Sequence, residues 1–281
     1  MQSKGDVLAE GFGFLEGPRW HDNALWAADI GAGVIVRVSM SGIHEIVAEV
    51  PGKPSGLGFL PDGTPLVVSM ENRIVYQVDG GRVSVYCDLS SFSRHMLNDM
   101  VVDTHGRAFV DNSGYNPFEG GKWNGENCGS IILVEPDKQA REVATDLAFP
   151  NGLAITSNNR LIVAESRIRR ISSFKIDPDG GLSDRRVVAD LDGDPDGICL
   201  DKNGGIWIGL GKTERFVRME SGRISDVIST PGRKAVACQL GGADMKTLFC
   251  LTHTGDIKEI ARSRASRVER FAAPFVGAGS P

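Results

Sequence analysis

Apolar and polar positions alternate along this chain in short runs, and the runs return at intervals of about 40 to 50 residues, the spacing of a repeat architecture. Six segments align: "EGPRWHDNALWAAD" from Glu16, "SGLGFLPDGTPLVVS" from Ser55, "NDMVVDTHGRAFVD" from Asn98, "NGLAITSNNRLIVAE" from Asn151, "DGICLDKNGGIWIG" from Asp196, and the looser "VACQLGGADMKTLFCL" from Val236. Each opens on a small or polar residue and runs into an apolar strand. It then turns at sequences such as Pro61-Asp62-Gly63, His105-Gly106 or Asn203-Gly204-Gly205 and continues into a second strand. Turns of this kind tolerate positive φ and mark a β-hairpin. Runs such as "IVRVSMSG", "IVYQVDGG" and "IILVEPD" supply a third strand, and Val83 to Cys87 or Val187 to Ala189 a fourth. No segment carries a long 3.6-residue period, so helices have little room.

Four strands repeated six times predict an all-β fold: one six-bladed β-propeller of four-stranded antiparallel blades, a single domain over residues 1–281. Ring closure is expected from Asp6 to Ala9 pairing with the last blade, beside strands around Ile257 to Ile260 and Val268 to Phe271.

A propeller turns the repeat into chemistry. The innermost strand of every blade lines the central channel, so one repeat position becomes a ring of side chains at one end of it. The first position reads Glu16, Ser55, Asn98, Asn151, Asp196 and, in the degenerate sixth repeat, Ala235. Singly, Asn, Asp and Ser at strand entries commonly cap turns. Together, Glu16, Asn98, Asn151 and Asp196 form a hard-oxygen set for one divalent metal: calcium first, with zinc, magnesium or manganese also compatible. Without a cation the two carboxylates would repel each other, and one would have to take up a proton.

Composition narrows the function. Hydrophobic residues make up 41% of the 281-residue chain and charged residues 24%, values that allow a real core. The net charge of −5 and the absence of a basic stripe argue against a nucleic-acid partner. No stretch is apolar enough to span a membrane and Met1 to Glu10 has no apolar core, so the expectation is a cytoplasmic protein without a membrane partner. A monomer or weak homo-oligomer is expected. Five cysteines without CxxC spacing read as buried thiols rather than a zinc site. A GxSxG elbow and an HExxH pair are both missing, which removes the serine α/β-hydrolase and zincin readings.

"EGPRW" at Glu16, "LNDMVVDTHGR" around Asn98, "FPNGLAI" around Asn151, "DPDGICLDKNGGIWIG" around Asp196 and a late "LGGADMKTLFCLT" give the sequence a family resemblance. Over nearly its whole length it is similar to the senescence marker protein, gluconolactonase and luciferin-regenerating enzyme family, which includes regucalcin. The resemblance implies a metal bound by Glu16, Asn151 and Asp196. It implies that Asn98 completes the metal shell or touches substrate, and that Asp196 doubles as general base. Met96 departs from the pattern: sugar-lactone hydrolases of the family often carry Arg there, and here Arg94 is displaced by two residues. A less polar lactone or ester therefore competes with a sugar lactone as the substrate.

The implied reaction is lactone hydrolysis by a metal-activated water, with Asp196 as base and Asp99 as second base or orienting residue. The expected substrate contacts are Asn98, Ser55, Met96, Asn112, Tyr115 and Trp123, with Asp111 also near the mouth. Residues Ser113 to Gly129 are the longest irregular stretch, expected as a cover whose underside is Phe118 and Trp123. Two readings compete: a non-catalytic metal-binding propeller that binds a ligand or protein, and a metal-dependent phosphoester or ester hydrolase on the same site.

Overall fold

The computed structural model describes residues 5–116, 125–126, 128–256 and 259–279. Its strands form six four-stranded antiparallel sheets. The first blade comprises β2 (Leu15–His21), β3 (Ala24–Asp29), β4 (Val34–Ser39) and β5 (His44–Glu49). The second holds β6 (Pro54–Phe59), β7 (Pro65–Ser69), β8 (Ile74–Asp79) and β9 (Arg82–Asp88). The third holds β10 (Leu97–Val102), β11 (Ala108–Asn112), β12 (Gly129–Val134) and β13 (Ala140–Leu147). The fourth is β14 (Pro150–Ile155), β15 (Arg160–Glu165), β16 (Arg170–Ile176) and β17 (Leu182–Asp190). The fifth is β18 (Ile198–Leu200), β19 (Ile206–Gly209), β20 (Arg215–Glu220) and β21 (Arg223–Ser229). This is the six-bladed β-propeller predicted from the repeat.

The sixth blade closes the ring with both ends of the described chain. β22 (Lys234–Gly241), β23 (Thr247–His253) and β24 (Ser266–Ala272) are joined by the N-terminal β1 (Asp6–Phe12), which pairs with β24. The strand expected at Ile257 to Ile260 is corrected: Ile257 lies outside the described residues, Glu259 and Ile260 form a turn, and β24 begins at Ser266. The one short helix among the described residues is the 3₁₀ turn Ser166–Ile168, followed by Arg169 at φ 54°. Arg167 therefore sits on a turn.

Burial falls between blades. Six separate apolar clusters fill the six interfaces. One of them joins Phe12, Leu15 and Leu25 of the N-terminal region to Val236, Phe249 and Val268 of the last blade. Each sheet is thus apolar on both faces, as a radial arrangement requires.

Five of the six innermost strands share an irregularity that positions the site. Register slips between Glu16 and Arg19, Pro54 and Leu57, Leu97 and Met100, Pro150 and Leu153, and Ala235 and Ala237. A bulge bends the strand and re-aims one side chain. Here it leaves Glu16, Ser55, Asn98 and Asn151 at the channel end, while Asp196 stands just before the regular β18. By this register the sixth position is Val236, one residue later than the Ala235 expected from alignment.

Candidate metal centre

Glu16, Asn98, Asn151 and Asp196 line one cavity of about 140 Å³ together with Phe14, Ile30, Met70, Met96, Ser113 and Phe149. Residues 180 positions apart in the chain meet there because equivalent strand entries are arranged around one axis. A second lobe of about 200 Å³ shares Phe14, Phe149, Asn151 and Asp196 and extends between the fifth and sixth blades.

A chain of hydrogen bonds crosses four blades at this level. Ser166 Oγ donates to the Pro195 carbonyl at 2.6 Å and lies 3.4 Å from Asn151 Nδ2. Asn98 Nδ2 donates to Asn151 Oδ1 at 3.0 Å, and Ser55 Oγ donates to Asn98 Oδ1 at 3.4 Å. Ser55 is thus a buried support for Asn98 and does not line the cavity. A half-turn of the Asn98 carboxamide exchanges its oxygen and nitrogen, so the same frame can present either atom to the axis.

Electrostatics single out the two acids. Burial raises the Glu16 carboxyl well above the ordinary range, and the nearby Asp196 and Asp99 charges add to the rise. Burial lifts Asp196 to about 7; a hydrogen bond from Asn151 opposes that rise, and Asp99 and Asp194 add to it. Two carboxyls that resist ionising side by side are the expected signature of a site completed by positive charge. Among the described residues no group of three or more His, Cys, Asp or Glu side chains is arranged to hold a metal. The donors here are two carboxylates and two carboxamides, a set that fits a hard divalent cation.

Asp99 lies below this layer. Its Oδ1 is 3.4 Å from Arg19 Nη2 and accepts from the Met100 amide, while Oδ2 accepts from the Leu153 amide at 3.3 Å. Arg19, buried, also donates to the Pro18 and Met100 carbonyls and fills the channel beneath the site. The arrangement suits Asp99 to positioning rather than to proton transfer at the cavity. Asp111 is fully buried opposite the Asn98–Asp99 bulge, not at the mouth, with the Asn98 and Asp99 backbone amides facing its carboxylate. Burial and the Asp99 charge push its carboxyl well above the ordinary range.

The remaining candidates divide. Met96 lines the cavity. Asn112 does not: its Oδ1 accepts from Ser93 Oγ at 2.6 Å and the Gly114 amide at 3.1 Å, and its Nδ2 donates to Ser130 Oγ at 3.2 Å. Those bonds commit both ends of its carboxamide to bracing the third blade. Tyr115 packs edge-on to Phe149 at the cavity edge, with the Arg167 guanidinium 5.0 Å from its ring centre. Phe118 and Trp123 lie outside the described residues. Arg94 and His95 are exposed.

Sequence reasoning missed the cavity walls. Phe14 is set by Asp29, whose carboxylate accepts from the Gly13 amide at 2.8 Å and the Phe14 amide at 3.0 Å. Phe149 holds φ 58°, a left-handed conformation costly for an aromatic residue, and is pinned where its carbonyl accepts from the Ser166 amide at 3.0 Å. Both stand two residues before a slot residue, Glu16 and Asn151, but the aligned segments begin at the slot itself and so left them out. A positive-φ residue before proline shows only in coordinates.

Residues 14–254 match the model of the SMP-30/Gluconolactonase/LRE-like region. The chain belongs to that family. It is 29% identical over 248 residues to a protein of Sulfolobus acidocaldarius, covering 84% of this chain and 86% of that one. It is 24% identical over 243 residues to a 6-deoxy-6-sulfogluconolactonase of Pseudomonas putida, covering 83% and 81%. Its fold is similar to that of a calcium-binding regucalcin from Agrobacterium tumefaciens, with TM-score 0.82, 18% identity and coverage of 99% and 97%.

Proposed function

We propose that this protein is a metal-dependent hydrolase that opens a lactone, with one divalent cation held by Glu16, Asn98, Asn151 and Asp196. The observation that carries the reading is the convergence of two carboxylates and two carboxamides on one cavity, where both acids resist ionisation. The names of family relatives, lactonase and calcium-binding regucalcin, point the same way, and calcium is the cation we favour.

A bound divalent cation supplies Lewis acidity to a carbonyl oxygen and acidity to a water. The chain does the rest. Phe14 and Phe149 exclude bulk water from the floor and hold the ring of a bound lactone over the oxygens. The Asp196 carboxylate accepts the proton of the attacking water, and it returns that proton to the alkoxide oxygen released when the ring C–O bond breaks. The burial that lifts Asp196 to about 7 makes it a stronger proton acceptor than a solvated aspartate, while ligation opposes the lift. Arg19 below holds Asp99, which in turn fixes the Met100 and Leu153 amides and so the third- and fourth-blade bulges. Ile30, Met70 and Met96 make the first lobe apolar, and it suits a less polar ring than a polyhydroxylated sugar lactone.

The test is acid release from a panel of lactones with and without chelator. Hydrolysis abolished by chelation and restored by added calcium is expected. A fully calcium-loaded, folded protein inert toward every lactone and ester would overturn the reading.

A further inference from the structure

The second lobe is unlike the first. Besides the shared residues it is lined by Ser166, Asp194, Pro195, Gly211, Val236 and two lysines, Lys212 and Lys234. The lysines are brought together by an isolated antiparallel bridge between blades. The Gly211 amide donates to the Ala235 carbonyl at 2.9 Å, and the Ala235 amide donates back to the Gly211 carbonyl at 3.1 Å. In an antiparallel pair the next residue on one strand faces the preceding residue on the other. Lys212 and Lys234 therefore flank the same bridge, one on each segment.

Like charges in that relation are destabilising. The acid nearest in the lining, Asp194, is already engaged by Arg169, whose Nε is 2.8 Å from its Oδ1. Lys234 Nζ donates to the Gly255 carbonyl at 2.6 Å, a neutral partner. Lys212 has no hydrogen bond or ion pair among the described residues. Its turn is nevertheless fixed, with the Thr213 amide donating to the Leu210 carbonyl at 2.9 Å and Thr213 Oγ1 to the same oxygen at 2.8 Å. Two fixed backbones thus place both lysines in the wall of a cavity that opens onto Asp196, with the Lys234 ammonium held toward Gly255.

We infer that Lys212 and Lys234 form an anion subsite, and that the substrate is a lactone bearing an anionic substituent, a carboxylate or an equivalent acid group. The inference rests on the hydrolase reading for the position of the reacting ring. Asn151, Asp196, Phe14 and Phe149 border both lobes, so a ring centred over Asp196 places an apolar face toward Met70 and Met96 and its charged arm between the lysines. The lysine charges also keep the arm away from the carboxylates of Glu16 and Asp196, which fixes the orientation of binding.

Two probes of one shape separate the terms: a δ-lactone with a 3-carboxypropyl substituent, and the same lactone with that carboxylate as a primary carboxamide. The calcium-loaded wild type is expected to prefer the carboxylate in kcat/KM by about tenfold, the size of a charge-assisted contact, and the preference should shrink in 0.5 M salt. In Lys212→Gln, and again in Lys212→Gln/Lys234→Gln, that ratio should fall to about one. Binding of the matching non-hydrolysable lactams, measured by calorimetry, should show the same ratios and so needs no turnover. Equal use of the two probes by wild type, or a ratio unmoved in the variants, overturns the subsite while leaving the hydrolase intact. No hydrolysis of either probe, with the lactam ratio preserved, keeps the anion subsite and overturns the hydrolase instead.

Discussion

At the scale of single residues, Asp196 carries the most. Asp196→Asn removes one of two charges offered to a cation and the proposed proton acceptor, so lactone hydrolysis should fall at least about a hundredfold with folding retained. Circular dichroism beside the rate checks it; full activity would exclude the role. The proton affinities also set a pH dependence. Both folded carboxyls are raised, Asp196 to about 7, so in cation-free protein the protonated forms are favoured and their stabilisation is fully present below about pH 4. It is lost as pH rises through about 7. Cation-free protein should therefore show a melting temperature that falls between pH 4 and 7. Calcium affinity should weaken over the same interval as pH drops, because binding must displace a proton. Calorimetry in two buffers of different ionisation enthalpy would show the released proton. The four axial residues were legible in the sequence because they share one repeat slot. Asn112 and Ser55 were expected at the substrate, yet their hydrogen bonds are spent on neighbours, a commitment that depends on partners such as Ser130 and Asn98 folded against them.

Among the elements, the bulged inner strands matter most. Gly17 holds φ 54°, and a Cβ built there would lie 2.5 Å from the Ser55 carbonyl oxygen of the next blade. Gly17→Ala should cost about 1–3 kcal/mol, read from denaturant midpoints, and should weaken calcium binding by moving Glu16. In the third blade the residue after the slot is Asp99 rather than glycine, and its partner Arg19 comes from the first. Arg19→Met leaves a buried carboxylate uncompensated and should cost about 3–5 kcal/mol, with much of the loss recovered in Arg19→Met/Asp99→Asn. No recovery in the double variant would mean that Arg19 acts by packing alone. The hairpins themselves were evident from alternation and turn residues. The loops between blades were not: Phe14, Phe149 and Lys234 each stand two residues before a slot position, outside the aligned segments, and Lys212 lies in a turn between strands.

For the whole molecule, closure of the ring is what makes the axis exist. β1 covers the outer edge of the last blade and buries Phe12 against the first, so removing residues 1–12 exposes that edge and opens an interface. The truncated chain should lose its cooperative melt near the wild-type temperature, and calcium should no longer raise it. In the intact protein, calcium at a hundredfold over its dissociation constant should add about 2.7 kcal/mol. The fold was readable at this scale because six imperfect copies of one hairpin leave few other ways to bury two-sided sheets. The decisive measurement is anomalous diffraction from a crystal of the calcium-loaded protein. The account predicts a single strong axial peak with side-chain oxygens of Glu16, Asn98, Asn151 and Asp196 at about 2.3–2.6 Å. A calcium-soaked crystal with no peak on the axis, or with the ion held by other residues, would contradict it.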